Sequence, residues 1–198
     1  MRRIRRAYQE VCEPSRLESW LGEALVGRLA TVDEDGFPVI KPVNFVYSDG
    51  RIYFHSAIEG EKLDDIRRCE RVGFEIDRLI AIAEPTERGC QTHAFYQSIV
   101  IRGRARILED PGDKEAALRL LVRKYAPAMT ATPLQGVEST AVVEIAVERM
   151  TGKEDCGQNW SAERKLAVAR RLYERDGAAA AEAIALLGFS LEEVSGSS

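Results

Sequence analysis

The chain contains six stretches in which apolar and polar residues follow the spacing of β-strands. In one of them, Ile52 and Phe54 fall on one face of the predicted strand, and His55 falls on the other. Turn-forming residues at 33–36 and 48–50 separate the first three stretches, which predicts an antiparallel meander rather than strands joined by crossover helices. The predicted strands are residues 28–32, 39–47, 51–56, 72–83, 95–108 and 140–147.

Helical spacing appears between these strands. Ser15 and Glu18 form a capping box, which predicts a helix that begins there and ends at Gly27. A short polar helix is predicted over residues 60–68. Asp110 suits the N-cap of a helix, and Pro111 suits its first position. Together they predict the start of a third helix.

Two residues within the predicted strands indicate a local departure from regular pairing. Pro42 lacks the N–H that a ladder hydrogen bond needs, so we expect a sheet edge or a bulge near it. Gly103 lies inside a long predicted strand, where a glycine marks a bulge or a close approach of another backbone segment.

Six strands with few helices indicate an α+β fold that is mainly β, with the sheet closed into a small antiparallel barrel. Residues 161–188 are rich in alanine and predicted to be helical, and residues 189–198 are expected to fray. We therefore expect a barrel domain over 1–160 and a helical C-terminal extension over 161–198.

The charge of the chain narrows the choice of partners. Its formal net charge is −4, whereas nucleic-acid-binding domains are usually basic. Residues 169–194 have a spacing similar to a helix-turn-helix, but Glu192 and Glu193 would face the bases, so we expect no nucleic-acid partner. The basic cluster at the start of the chain comprises Arg2, Arg3, Arg5 and Arg6.

The basic cluster lacks the apolar stretch that a signal peptide requires after its charges. No stretch of the sequence approaches the roughly 18 apolar residues of a membrane span. The expectation is a cytoplasmic protein with no membrane partner. Its four cysteines, which are then expected to be free thiols, are Cys12, Cys69, Cys90 and Cys156.

Cys90 and His93 are three residues apart, and in an extended segment that spacing puts their side chains on opposite faces. We therefore predict no metal site.

The segment after the third strand has the chemistry of a phosphate-binding turn. Ser56 ends the strand, Gly60 frees the backbone before a short helix, and Lys62 lies in the first turn of that helix. Arg67 and Arg68, one turn further on, could add positive charge. The alternative is an ordinary strand-to-helix turn with solvated charges, and spacing alone leaves both interpretations open.

Six segments, taken in order, resemble the pyridoxamine 5′-phosphate oxidase-like flavoprotein superfamily, and most closely its nitroimidazole-resistance branch. The resemblance covers about residues 14–160. The segments are residues 27–36 (GRLATVDEDG), 42–47 (PVNFVY), 52–57 (IYFHSA), 62–66 (KLDDI), 98–105 (SIVIRGRA) and 150–154 (MTGKE).

The resemblance implies a split β-barrel that binds flavin mononucleotide (FMN) at a homodimer interface. In such a fold Ser56 and Lys62 would hold the phosphate, and His55 would be the active-site histidine of the branch. A proton donor beside the flavin and a structurally satisfied barrel histidine both remain open for His55. The other implied cofactor-binding residues are Pro42, Val43, Asn44, Ala57, Tyr96, Gln97, Ser98 and Lys153.

The sequence departs from the branch at one point, because residues 155–158 intervene between Lys153-Glu154 and Asn159-Trp160. The Ala-rich C-terminal segment also lacks the basic substrate-phosphate contacts of the vitamin oxidases. Two functions remain. One is an FMN-dependent reductase of nitroaromatic or quinone-type small molecules; the other is a flavin- or haem-binding module without turnover, such as a sensor, carrier or scavenger.

Overall fold

The structure is a computed structural model that describes residues 4–83 and 92–196. The strands within these residues are β1 Glu10–Val11, β2 Gly27–Val32, β3 Pro38–Val43, β4 Val46–Ser48, β5 Arg51–Ser56, β6 Arg71–Ala83, β7 His93–Ile107 and β8 Ala141–Asp155. The α-helices are α1 Pro14–Glu23, α2 Glu61–Arg68, α3 Pro111–Tyr125, α4 Ala162–Asp176, α5 Ala181–Leu186 and α6 Leu191–Ser195.

The strands form one sheet in the order β3-β2-β6-β7-β8-β5-β4, with β1 paired to β8. The registers of β2 with β3, of β4 with β5 and of β5 with β8 are all antiparallel. This confirms the α+β, mainly β class. The predicted closed barrel of six strands is corrected to an open sheet of eight among the described residues, with β3 and β4 at its two ends.

The structure has two more strands than predicted, because one predicted strand is broken in two and because the short strand β1 was not predicted. The stretch predicted as one strand over 39–47 is divided into β3 and β4 at Asn44 and Phe45. Phe45 is fully buried, and its backbone N–H donates to the Tyr125 hydroxyl at 2.8 Å instead of to a neighbouring strand. β1 has only two residues, which is too few for the alternation of apolar and polar residues to be recognised in the sequence.

The described chain divides into two compact units. The central unit comprises Glu13–Ile76 and Ile99–Thr151. The terminal unit comprises the described parts of Met1–Cys12, Asp77–Ser98 and Gly152–Ser198. Fully buried side chains of the central unit include Phe54, Phe74, Ile101 and Ile145, and buried side chains of the terminal unit include Phe95, Leu172, Ile184 and Leu187.

The first helix begins and ends earlier than predicted. Pro14 occupies its first position and Glu13 its N-cap, so Ser15 lies inside the helix and the predicted capping box is wrong. The helix ends at Glu23, and Gly27 instead begins β2. A Cβ at Gly27 would lie 2.1 Å from Cζ of Phe74, so ring packing requires glycine there.

Gly103 is confirmed as a point of close backbone approach, because a Cβ there would lie 2.4 Å from the carbonyl oxygen of Ala146. The start of α3 is also confirmed. Asp110 caps it by accepting a hydrogen bond from the Asp113 N–H at 2.9 Å, and Pro111 is the first helical residue.

The last strand and the C-terminal residues are more regular than expected. β8 continues to Asp155, eight residues beyond the predicted end at 147. Residues 191–195 form α6, which begins with a capping box between Ser190 and Glu193 and buries Val194, so the expectation of a frayed segment is wrong there. Every helix in the described part of the chain is too short or too polar to cross a bilayer.

Candidate functional site

The predicted phosphate-binding turn lies in the central unit between β5 and α2. Gly60 is the N-cap of α2, with φ 132° and ψ 156°, a conformation that favours glycine. Its carbonyl accepts from the N–H groups of Leu63 at 2.9 Å and Asp64 at 3.3 Å. The N–H groups of Glu61 and Lys62 belong to the helix start, where no intrahelical acceptor exists. The turn can therefore offer backbone donors and the half-buried Lys62 to an anion.

The acidic side chains of this helix are paired with cations. Glu61 lies 2.8 Å from the Lys41 ammonium, and Asp64 accepts from Arg67 at 2.8 Å. These pairs reduce the negative charge beside Lys62. Arg67 is engaged in its ion pair rather than extended as an additional phosphate ligand.

Asp65 anchors the helix to β2. Its carboxylate is 2% exposed and accepts from the Thr31 hydroxyl at 2.6 Å and from Arg68 at 2.7 Å. Burial acts to raise the pKa of Asp65, but these hydrogen bonds, with the charges of Arg68 and Lys41, outweigh it and lower that pKa from 3.8. Arg68 also donates to the Val32 carbonyl, so its guanidinium holds the end of α2 against β2.

β3 supplies the strand edge that Pro42 predicted. Pro42 lies opposite Arg28 and Val43 opposite Gly27, and β3 stands at one end of the strand order. The edge expected near Pro42 is therefore confirmed. Just beyond it, the Asn44 side chain donates to the Leu25 carbonyl at 3.1 Å.

The C-terminal end of α3 holds the break after Asn44. The Tyr125 hydroxyl accepts from the Phe45 N–H and lies 2.8 Å from the carbonyl oxygens of both Leu25 and Phe45. The Lys124 ammonium is 4.1 Å from the centre of the Phe45 ring and donates to the Leu21 carbonyl at 3.0 Å. Burial lowers the pKa of Lys124 to about 8. These contacts fix the backbone that follows the candidate cofactor strand.

His55 is exposed, at the end of β5 opposite Val142. Its neighbours in the strand, Phe54 and Ser56, are buried and half-buried respectively. The Ser56 hydroxyl donates to the carbonyl of the exposed Ala57 at 2.8 Å. An exposed ring is accessible to a ligand, and this position does not suit a histidine satisfied inside a barrel.

Four predicted residues lie in the terminal unit. The Lys153 ammonium contacts the Tyr96 hydroxyl, and both side chains are half-buried. Gln97 is buried, and its amide accepts from Arg78 and donates to Glu154, each at 2.9 Å, so both ends are engaged within the protein. The half-buried Ser98 follows on the same strand.

A cavity of about 330 Å³ lies beside Tyr96 and Lys153. Gln9 is one of the residues that line this cavity. It is 1% exposed, and its side-chain amide has no hydrogen-bond partner among the described residues. Gln9 is not among the residues that the sequence predicts for the site, because nothing in the local sequence signals that this glutamine is buried. Besides Ile4, the remaining lining residues are Arg5, Arg6 and Asp155.

The departure at 155–158 forms a turn that its own side chains close. The Gln158 amide accepts from the Cys156 N–H at 3.0 Å and donates to the Glu154 carbonyl at 2.9 Å. Beyond it, the Trp160 ring packs against His93 and Phe95, with centroids 5.0 and 5.6 Å apart. In the terminal unit Trp160 is thus a partly buried aromatic residue that packs against the core.

Three predicted free thiols are confirmed, at Cys12, Cys69 and Cys156, whereas Cys90 lies outside the described residues. Within residues 4–83 and 92–196, no cluster of three or more potential ligands could hold a metal ion.

Comparisons with known proteins identify the family. A family model described as pyridoxamine 5′-phosphate oxidase matches residues 13–154. A candidate 5-nitroimidazole antibiotic resistance protein from Bacteroides thetaiotaomicron is 25% identical, with a TM-score of 0.63 over 73% of this chain and 86% of that chain. No match was found among curated protein sequences.

Two further solved structures share the fold at lower identity. A flavocytochrome from Azotobacter vinelandii is 16% identical, with a TM-score of 0.68 over 77% of this chain and 72% of that chain. An FAD and heme binding protein from Mycobacterium smegmatis is 18% identical, with a TM-score of 0.68 over 80% and 79%. Since the family model spans well over half of its length, the chain belongs to the pyridoxamine 5′-phosphate oxidase family.

Proposed function

We propose that this protein binds FMN and uses it as an oxidoreductase. The observation that carries the proposal is the turn from Ser56 through Gly60 to Lys62, in a chain of this family. Ser56, the N–H groups at the start of α2 and the Lys62 ammonium would hold the phosphate. The backbone of Pro42, Val43 and Asn44 would run along the edge of the flavin ring.

FMN is favoured over FAD because the proposed phosphate site is a single compact turn and the sequence has no Gly-x-Gly-x-x-Gly segment for a second phosphate. The purified protein is denatured, and the released cofactor is identified by chromatography. Release of FMN, and uptake of added FMN by the stripped protein, are expected. Release of FAD or haem would contradict the proposal, as would stripped protein that takes up no FMN.

A bound flavin supplies the hydride or electron-transfer chemistry, whereas the protein supplies position and protons. The exposed His55 would hold or donate a proton beside the ring, since imidazole is the side chain most often used for proton transfer in active sites. Tyr96, Ser98 and Lys153 are proposed as further cofactor contacts. The substrates proposed are nitroaromatic or quinone-type small molecules. Anaerobic reduction of the flavoprotein, followed by addition of a nitroimidazole or a quinone, tests turnover.

A flavin- or haem-binding module without turnover is the second candidate function. It is favoured by two neighbours of the same fold, one named a flavocytochrome and the other an FAD and heme binding protein. A visible spectrum of the purified protein separates flavin from haem. A reduced flavoprotein that neither nitroimidazole nor quinone reoxidises would favour the module over the reductase.

A further inference from the structure

The cavity beside Tyr96 and Lys153 contains residues that the family relationship does not explain. Its volume of about 330 Å³ lies at the lower end of the range of roughly 300–1,000 Å³ found for small-molecule sites. Arg5, Arg6 and Gln9 line it, yet they precede residue 13, where the family match begins. The N-terminal segment thus adds its own chemistry to this part of the terminal unit.

The charged groups around the cavity favour an anion. Arg5, Arg6 and Lys153 are cationic, and Asp155 is the acidic residue that lines the cavity with them. The Asp155 carboxylate is partly compensated, since it lies 4.0 Å from Arg6 and 2.9 Å from Nε2 of His93. Guanidinium groups bind planar oxyanions through paired hydrogen bonds, which suits a carboxylate.

Gln9 indicates which further groups a ligand of this cavity would carry. Its Nε2 and Oε1 atoms are buried and have no hydrogen-bond partner among the described residues. Leaving a buried amide unpaired is unfavourable, and nearly all buried polar groups find a partner. A ligand with a donor and an acceptor side by side, as in a ring amide, would satisfy both atoms at once.

We propose that this cavity binds a small planar organic carboxylate that also carries a ring amide. The carboxylate would lie against Arg5 and Arg6, the amide edge against Gln9, and the ring beside Tyr96. The site goes beyond the proposed flavin function, because Arg5, Arg6 and Gln9 belong to a segment outside the family match; Tyr96 and Lys153 are the residues that it would share with the proposed cofactor site.

Orotate is a suitable probe, because it combines a carboxylate with a ring amide, and uracil is the same ring without the carboxylate. Titration calorimetry with the purified full chain should show that orotate binds at least about tenfold more tightly than uracil, the difference expected for a charge-assisted contact. The flavin content of the sample is measured in parallel, so that failure to bind flavin is recognised separately.

Two variants and one control locate the binding. Arg5→Gln should weaken orotate about tenfold and leave uracil unchanged, and Gln9→Leu should weaken both ligands. Arg123→Gln, on an exposed part of α3, is the matched control and should bind orotate as the native protein does. Equal affinities for orotate and uracil, or no orotate binding at all, would overturn the proposal. It would also be overturned if orotate released bound flavin, since the cavity would then belong to the cofactor site.

Discussion

Lys62 and His55 lie on either side of Gly60 and are proposed to act in different ways. Lys62 is half-buried in the first turn of α2, whereas His55 is exposed at the end of β5. A charge-assisted hydrogen bond to a phosphate contributes about 1.5–3 kcal/mol, so the lysine should determine affinity. The histidine should affect mainly the rate of turnover.

We expect Lys62→Ala to weaken FMN binding about tenfold or more and His55→Ala to change it much less. Fluorescence titration of stripped protein with FMN measures both affinities. Lys114→Ala, near the start of another helix of the same unit, is the control and should bind like the native protein. Equal losses of affinity in the Lys62 and His55 variants, with activity per bound flavin unchanged in His55→Ala, would contradict these roles.

Two buried glutamines of the terminal unit differ in their surroundings. The amide of Gln9 has no partner among the described residues, whereas that of Gln97 bonds to Arg78 and Glu154. We expect Gln9→Leu to preserve or raise the melting temperature of the ligand-free protein. Gln97→Leu removes two buried hydrogen bonds, to Arg78 and to Glu154, and should cost about 1–3 kcal/mol. Thermal unfolding measures the stability of both variants. A larger loss of stability in Gln9→Leu than in Gln97→Leu would contradict this prediction.

The lowered pKa of Asp65 makes part of the stability depend on pH. Because the carboxylate binds protons more weakly in the folded state, its contribution to stability is complete above its ordinary pKa of 3.8 and is lost as the pH falls through the lower folded-state pKa. Asp65→Asn should therefore be less stable than the native protein near neutral pH. Urea denaturation at several pH values should show the difference shrinking in acid, and a pH-independent difference would contradict this cause.

At the level of elements, the break between β3 and β4 depends on one hydroxyl from α3. Tyr125 contacts the backbone of both Phe45 and Leu25, so it ties the break to the segment between α1 and β2. A buried N–H that loses its acceptor costs about 1–3 kcal/mol. The position of the candidate cofactor strand thus depends on a residue 80 positions away from Phe45 in the chain.

Tyr125→Phe keeps the ring and removes only the hydroxyl, so it should destabilise the protein by about 1–3 kcal/mol. Urea denaturation measures the loss, and faster hydrogen exchange at the Phe45 N–H would locate it. Tyr8→Phe, at an exposed tyrosine, serves as the control and should leave stability nearly unchanged. An unaltered denaturation midpoint in Tyr125→Phe would show that the hydroxyl does not hold the break.

For the whole molecule, the expected assembly is a homodimer with FMN in the groove between the subunits. β3 stands at one end of the strand order, and an edge strand can pair with or pack against another chain. Phe37, just before β3, and Ile40 within it are 68% and 65% exposed, and Val32 on β2 is 43% exposed. Exposed apolar side chains on one hairpin are typical of an interface.

Sedimentation should give a mass of about 44 kDa, twice the chain mass of 22.1 kDa, as two-fold assembly requires. Ile40→Glu would place a charge in the proposed interface and should shift the protein toward the monomer, whereas Glu34→Gln in the preceding turn should not. A native monomer that retains flavin would contradict the proposed dimer, because one chain would then complete the site.

Local signals in the sequence are sufficient to predict where several elements begin or end, and to predict one candidate binding turn. Asp110 and Pro111 predicted the start of α3, because capping depends on adjacent residues alone. Gly60 and Lys62 were predicted at the start of α2 for the same reason. Pro42 predicted the sheet edge, since a residue without an N–H is excluded from a central strand wherever the chain folds.

The tertiary structure alone decided features that depend on residues far apart in the chain. Gly27 is needed because the Phe74 ring occupies the space of a Cβ, and the strand break at Phe45 exists because Tyr125 takes its N–H. The burial of Gln9 likewise depends on the cavity that it shares with Lys153. Contacts of this kind follow from packing rather than from local propensity, so a single sequence predicts the elements but not which side chains meet.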